Sequence, residues 1–226
     1  MLTGLKKNIK MVEKVLANCG INFDVFTFVT NEYYRNVKIA EMRRYINNLE
    51  TKDAWDFHAN GVTELCMLTA KKIQHDDPAL KIAAEHHDDG KAFMNEILLS
   101  GRRFTPEERE MANCHALLSA LMNWDKGFKV MFLILCHHDT VNGTGANKLK
   151  LFGTSAKILR ACDIAHAIAF VDDSRDYQND NKTEKRDAMP LTKVNKIMNE
   201  DNDNKQIIDT VMSIVANMRN ETLAKA

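Results

Sequence analysis

Three prolines and nine glycines in 226 residues leave little material for turns. Elements must then be long and loops short, which favours helices over many short strands. Material for disulfides is equally scarce. The five cysteines (Cys19, Cys66, Cys114, Cys136 and Cys162) are odd in number, form no CxxC and sit in apolar helical contexts. That argues against a disulfide framework and against a Cys-rich zinc site, and assigns them as small buried side chains in a reducing compartment. Neither sign of charge is in excess, since 31 Lys+Arg face 31 Asp+Glu. A long nucleic acid calls for a basic excess or stripe, so none is expected as a partner. A small anionic ligand escapes that argument, because a local site can be charged while the total cancels. The longest apolar run, Val130–Cys136, is far short of a membrane span, so no membrane association is expected. Met1–Lys7 carries no apolar signal-peptide core, and a cytoplasmic location is expected by default.

What is present is an ordinary globular composition, 45% hydrophobic and 27% charged. A chain of this length buries roughly 70–75% of its unfolded surface. Apolar residues recur at spacings of three and four, which predicts helices throughout. The first runs from about Leu5 to Gly20 with Ile9, Val12 and Leu16 on one face, and the second over about Asn31–Leu49. A third starts near Asp53 and turns Val62, Leu65, Cys66, Thr69 and Ile73 inward. Asp77-Pro78 reads as an N-cap followed by proline at the first helical position, opening a helix that reaches His87-Asp88 and ends around Gly90. Thr105-Pro106-Glu107-Glu108 reads as a capping box whose helix passes through His115 to about Met122. Gly127 precedes an apolar helix ending at His137-His138, and a polar loop, Asp139–Asn147, follows. Further helices are predicted over about Ser155–Phe170, after Pro190, and over about Asn204–Leu223, with a charged exposed loop at Asp172–Asp187. The expectation is an all-α bundle of roughly 7–9 helices. Residues 1–50 form an N-terminal helical cap belonging to the same domain as residues 51–226.

Five of the eight histidines stand at predicted helix ends or inside apolar stripes beside acidic residues: His58, His87, His115, His137 and His138. Asp88 follows His87 directly, and Asp163 ends the run Ile158-Leu159-Arg160-Ala161-Cys162-Asp163. One histidine on an apolar face is usually a satisfied core residue. A carboxylate there is harder to dismiss, because burying it is costly unless it is paired or bound to a metal. Histidines and aspartates drawn from several helices are what a metal site in a helical bundle requires. Nitrogen and oxygen donors without thiolate suit Fe, Mn, Ni or Co.

The order His58, His87-Asp88-Asp89-Gly90-Lys91, His115, His137-His138-Asp139 and Asp163 resembles the HD-GYP branch of the HD phosphohydrolase superfamily. The pattern of that branch is a first His, HDxGK, a lone His, HHE and a final Asp. Between these positions, Phe104–Glu110 is similar to the family's LTxEE helix start, and Asn142-Gly143-Thr144-Gly145 to the start of its DGxGYP loop. Ala156-Lys157-Ile158-Leu159 matches the run before the final Asp, and Ser174-Arg175-Asp176-Tyr177 resembles its DRPYR segment. The resemblance covers about Ala54–Tyr177.

It implies an HD-type bundle holding two divalent metal ions, Fe or Mn first, with Ni or Co as alternatives. His58, His87, Asp88 and Asp163 would hold one, and Asp88, His115, His137 and His138 the other, with Asp88 bridging. Two cations about 3.5–4 Å apart share a hydroxide that attacks phosphorus while both neutralise the developing charge. The catalytic candidates are Asp88 and Lys91, the latter contacting the scissile phosphate or the nucleophile. Lys91 lies one helical turn beyond His87 if that helix continues. Arg175 is the second candidate for substrate binding, since a guanidinium bonds phosphate bidentately.

This chain departs from the family pattern at several places. Asp139 stands for the Glu of HHE, Gly145-Ala146-Asn147 for Gly-Tyr-Pro, Asp89 for an apolar residue, and His166 for a second Asp after the final ligand. Ala54 stands where some relatives place a Glu for a third metal, so two metals are expected. None of these changes removes a ligand; they alter the loop that covers the substrate. The implied reaction is phosphodiester hydrolysis of a cyclic dinucleotide, cyclic di-GMP first. The altered loop leaves 3′,3′-cyclic GMP-AMP or another nucleotide open. From a different class, the alternative is a non-catalytic signalling module that binds a cyclic dinucleotide, or a diguanylate cyclase through residues 139–149. His86 and His166 are candidates for hydrogen bonding behind the ligands, His75 reads as solvated, and Trp55 and Trp124 as packing residues.

Overall fold

The structure is a computed structural model that describes residues 2–49, 56–98, 104–143, 145, 147, 149, 151, 153–170, 189–201 and 203–225. Among the described residues it is all-α, with one isolated β-bridge residue at Thr140, whose carbonyl accepts the Leu151 N–H. The helices are α1 (Leu2–Asn18), α2 (Val25–Thr30), α3 (Glu32–Asn47), α4 (Asp56–Lys72), α5 (Pro78–His86), α6 (Asn95–Leu98), α7 (Pro106–Asn113), α8 (His115–Met122), α9 (Phe128–Cys136), α10 (Thr154–Ala169), α11 (Leu191–Asp201) and α12 (Lys205–Lys225). Short 3-10 turns cover Asp89–Met94 and Trp124–Lys126. The charged segment Asp172–Asp187, Trp55 and Ala54 lie outside the described residues.

The start signals act as their chemistry dictates. The Asp77 carboxylate accepts the Ala79 N–H at 3.2 Å, and Pro78 occupies the first turn of α5. At α7 both halves of the capping box are made: Glu108 N–H donates to Thr105 Oγ1 and Thr105 N–H to the Glu108 carboxylate. Asn31 serves two helices at once. Its N–H donates to the Thr27 carbonyl at the end of α2, and its side chain accepts the Tyr34 N–H at the start of α3.

Two predicted helices are interrupted. α5 stops at His86, and the chain continues as a 3-10 turn instead of running on to Gly90. The helix expected through His115 is two helices, α7 and α8, with Cys114 between them. These breaks, together with the short α2 and α6, raise the number of segments above the expected count. Both breaks fall at a predicted site histidine.

Packing forms two apolar cores. Val62, Leu65 and Cys66 of α4, Leu80 of α5, Ile134 of α9, Ile158 and Leu159 of α10, Val194 of α11 and Ile208 of α12 belong to one. Val12 and Leu16 of α1, Phe28 of α2, Met42 of α3 and Leu117, Leu118 and Leu121 of α8 belong to the other. α8 faces both, because Ala120 enters the first core. Of the five cysteines, all free thiols, four are buried and Cys19 is half-buried. No helix among the described residues is long and apolar enough to cross a membrane.

Candidate metal centre

The seven candidate ligands come from five helices that meet across the cores. His58 lies in the first turn of α4, His87 caps the end of α5 with Asp88 next to it, and His115 opens α8. His137 caps the end of α9, His138 follows, and Asp163 lies inside α10. Gly90 makes the junction of α5 and α8 possible. A Cβ there would stand 2.4 Å from the His115 carbonyl oxygen, and the Gly90 N–H donates to Ser119 Oγ at 2.8 Å. Only a residue without a side chain lets the strand of chain after Asp88 press onto the start of α8.

Asp88 is the centre of the arrangement. Its Oδ2 lies 3.6 Å from His58 Nε2 and 3.4 Å from His87 Nε2. Its Oδ1 lies 3.3 Å from His115 Nε2 and 3.7 Å from His137 Nε2. The two oxygens of one carboxylate thus face two different pairs of imidazoles. Asp163 completes the first group, with Oδ1 3.1 Å from His58 Nε2 and 3.8 Å from His87 Nε2. His138 completes the second, with Nε2 3.0 Å from His115 Nε2. Within the set Asp88, His115, His137 and His138, and within the set His58, His87 and Asp163, one donor atom per residue falls within 4.8 Å of all the others.

Helix ends set the tautomers. The last carbonyls of a helix lack an intrahelical partner, and three imidazoles take them. His87 Nδ1 donates to the Ala84 carbonyl at 2.7 Å, His115 Nδ1 to Ala112 at 2.5 Å and His137 Nδ1 to Ile134 at 2.6 Å. A carbonyl only accepts, so each Nδ1 carries the proton and each Nε2 presents a lone pair inward. This is the orientation that metal-binding histidines need.

Two observations test whether a cation fits. The Nε2 lone pairs of His115 and His137 face each other at 3.3 Å, a repulsive contact that a cation between them turns into an attractive one. Moreover, His87 Nε2 and Asp88 Oδ1 are buried without a hydrogen-bond partner among the described residues. Such atoms are normally satisfied, and a bound cation satisfies both kinds at once. The donor set of imidazole and carboxylate fits a first-row divalent metal.

Charge in the cluster is mutually arranged. Burial alone raises the Asp88 carboxyl, but the His87 ring, the Lys91 ammonium and the His115 and His137 rings facing its Oδ1 outweigh this and hold it well below the usual carboxylate range. Burial likewise works against the Asp163 carboxylate, and the His58 hydrogen bond with the fields of His138 and His87 outweighs it. Desolvation lowers His87, His115 and His138, keeping their imidazoles neutral and able to donate lone pairs.

Around the cluster, Lys91 Nζ lies 2.5 Å from Asp88 Oδ2. It gets there in a different phase from the one the sequence suggests. The 3-10 turn carries three residues per turn and stacks Lys91 over Asp88, instead of one α-turn beyond His87. His166, buried on α10, places Nδ1 3.0 Å from His58 Nδ1. His86 donates to Asp89, which also accepts from Asn123, so this pair braces the turn from the outside. Asp139 is buried, and its Oδ1 accepts the Asn147 N–H. Trp124 packs edge-on against Phe28 under the Arg35 guanidinium. His75 is not simply solvated; its Nε2 bonds Ser155 Oγ at 2.8 Å. Arg175, the second predicted phosphate contact, lies outside the described residues.

Two residues beside the cluster were not singled out from the sequence. Arg160 places Nη1 3.1 Å from His138 Nδ1. Its place three residues before Asp163 does not set it apart in the sequence from Lys157, the other cation of the same helix. Gly61 lies on α4, where a Cβ would stand 1.9 Å from His166 Nε2. No sequence signal distinguishes it from any other helical glycine.

No family model matches the chain, and no curated protein matches it. A solved structure, described as Bd1817, a HDG"Y"P protein from Bdellovibrio bacteriovorus, is similar to it with a TM-score of 0.55. The two are 19% identical, and the match covers 92% of this chain and 69% of the other. The chain therefore has the all-α fold of an HD-GYP protein.

Proposed function

We propose that the protein is a metal-dependent phosphodiesterase that hydrolyses a cyclic dinucleotide, cyclic di-GMP first. The observation that carries the reading is the division of Asp88: one oxygen faces His58 and His87, the other His115 and His137. That is the disposition expected of a carboxylate shared by two cations. His58, His87, Asp88 and Asp163 would hold one ion, and Asp88, His115, His137 and His138 would hold the other. Divalent cations held there supply the charge that polarises a phosphoryl oxygen and lowers the pKa of water.

The chain's own part is positioning. Carbonyls of Ala84, Ala112 and Ile134 lock three imidazoles with Nε2 inward. Asp88 stays ionised under the field of His87 and Lys91. Lys91, anchored by its bond to Asp88, holds an ammonium beside the cluster, where it meets the charge gained by a phosphoryl oxygen in the transition state. Arg175 remains the proposed second phosphate contact, and residues 139–149, which follow His138 in the chain, the proposed contact for a diguanylate cyclase.

The test is a panel of cyclic di-GMP, 3′,3′-cyclic GMP-AMP and linear dinucleotides, with protein loaded anaerobically with Fe, Mn, Ni or Co. Turnover by the loaded protein is expected, with loss of both metal and turnover in Asp88→Ala and His115→Ala. Turnover retained by a metal-free double variant would falsify the reading. Binding of the cyclic dinucleotide without turnover under any metal makes the protein a signalling module instead.

A further inference from the structure

The guanidinium of Arg160 is held against the cluster with only 13% of its side chain exposed. Nη1 lies 3.1 Å from His138 Nδ1, 3.4 Å from the His137 carbonyl and 3.8 Å from Asp163 Oδ2. A guanidinium offers no lone pair and keeps its proton, so His138 Nδ1 must be the acceptor. A neutral imidazole that accepts at Nδ1 carries its proton on Nε2. That N–H points at His115 Nε2, 3.0 Å away, which accepts because His115 Nδ1 donates to Ala112. Donation therefore runs in one direction, from Arg160 through His138 and His115 to the Ala112 carbonyl.

His138 differs in this from His87, His115 and His137, whose Nε2 atoms present lone pairs. To ligate through Nε2, His138 must carry its proton on Nδ1, where it would meet the Arg160 N–H donor against donor. Asp163 Oδ2, 3.8 Å from His138 Nδ1, is the acceptor at hand once the guanidinium withdraws. The Arg160 bond and ligation through His138 Nε2 exclude each other.

We propose that Arg160 is a positioning residue that competes with the second metal for His138, so that this position is the weaker of the two and fills only as the guanidinium is displaced. The inference rests on the metal-centre reading above and concerns how that centre loads.

Anaerobic titration with Co2+, read by calorimetry and by the visible absorption of the bound ion, tests it on wild type, Arg160→Met, Arg160→Lys, His138→Gln and the Arg160→Met/His138→Gln double variant. Thermal melts monitor folding. In wild type, two binding steps are expected, the second weaker. Arg160→Met tightens that second step by about tenfold or more and changes the absorption that accompanies it, because His138 is released to bind. Arg160→Lys, which retains a cationic donor, keeps the step weak. In the His138→Gln background, Arg160→Met gives no gain. A gain that persists undiminished in that background reflects only the removal of a positive charge and overturns the inference, as does a second step unchanged or weakened by Arg160→Met. Two-step binding with either of those results leaves the metal centre standing, whereas a wild-type protein that binds no Co2+ overturns the metal centre and this inference together.

Discussion

His58 and His166 meet through their Nδ1 atoms, 3.0 Å apart in the buried interior, so one imidazole sets the tautomer of the other. His58 turns Nε2 toward Asp163 and Asp88. Without a cation, Nε2–H donates to Asp163 Oδ1 at 3.1 Å and Nδ1 accepts from His166; a cation taking the Nε2 lone pair would put the proton on Nδ1, where His166 accepts it. Phe57 and Phe170 flank the His166 ring, at centroid distances of 5.3 and 5.1 Å, and hold it in place. His166→Phe keeps the packing and removes the acceptor, so the affinity of the first metal should fall by about 10–100-fold. His166→Asp, the residue of the family pattern, restores an acceptor and should retain it. Metal titration of both variants decides; equal affinity in His166→Phe and wild type would show the contact to be packing alone.

Gly61 is the counterpart of that contact on α4. A Cβ there would lie 1.9 Å from His166 Nε2 and 2.4 Å from Cδ2, and the buried ring is flanked by Phe57 and Phe170. Helix propensity favours Gly61→Ala by about 1 kcal/mol, while overpacking costs about 1–3 kcal/mol. The expected net result in wild type is a loss of stability. In a His166→Ala background the obstruction is gone, and the same substitution should stabilise by about 1 kcal/mol. Urea denaturation of the four proteins measures this reversal of sign. A loss of the same size in both backgrounds would place the obstruction elsewhere.

What was legible in the sequence and what was not divides by distance along the chain. The caps at Asp77-Pro78 and Thr105–Glu108 were readable because donor and acceptor lie within a few residues. The ordered histidines and aspartates were readable because their spacing is itself the pattern. The breaks at His87 and Cys114 were not, since each depends on an imidazole taking a helix-end carbonyl and on Gly90 pressing against α8. α2 was missed for a plainer reason. Its six residues, Val25–Thr30, are too few to show a helical period. Arg160 and Gly61 have no local signature, because the atoms that give them meaning belong to other segments: His138 for one, His166 for the other.

The N-terminal helix reaches the loop after His138 through the Asn147 amide. Asn8 Nδ2 donates to Asn147 Oδ1 at 2.9 Å, Asn147 Nδ2 donates to the Leu135 carbonyl, and its N–H donates to Asp139. Asn147 is buried, so its partners cannot turn to water freely. Asn147→Ala should cost about 1–3 kcal/mol in urea denaturation, because the Leu135 carbonyl loses a donor. Asn8→Ala should cost less, and the two losses should be coupled by about 0.5–1.5 kcal/mol in a double-mutant cycle. Additive losses would mean that α1 and the loop are energetically independent.

Asp77 contributes a pH-dependent share of the stability. Its Oδ1 accepts the Ala79 N–H and the Lys129 ammonium, the latter at 2.9 Å, and its Oδ2 accepts the Ser155 hydroxyl. One carboxylate thereby caps α5 and ties α9 and α10 to it. Burial raises its pKa, but the bonds from Ser155, Lys129 and Ala79 prevail and hold it below the ordinary 3.8. A carboxyl whose folded pKa lies below its unfolded value gives its full stabilisation above the unfolded value and loses it as pH falls through the folded one. Asp77→Asn, which keeps an acceptor but no charge, should cost about 1–3 kcal/mol at pH 7. The gap between wild type and variant should stay constant down to about pH 5 and then narrow as acid protonates the wild-type side chain. Urea denaturation of both proteins at pH 7, 5 and 3, with chelator present throughout, measures the gap. A gap unchanged at pH 3 would show that the carboxylate acts by shape and hydrogen bonding alone, with its charge contributing nothing.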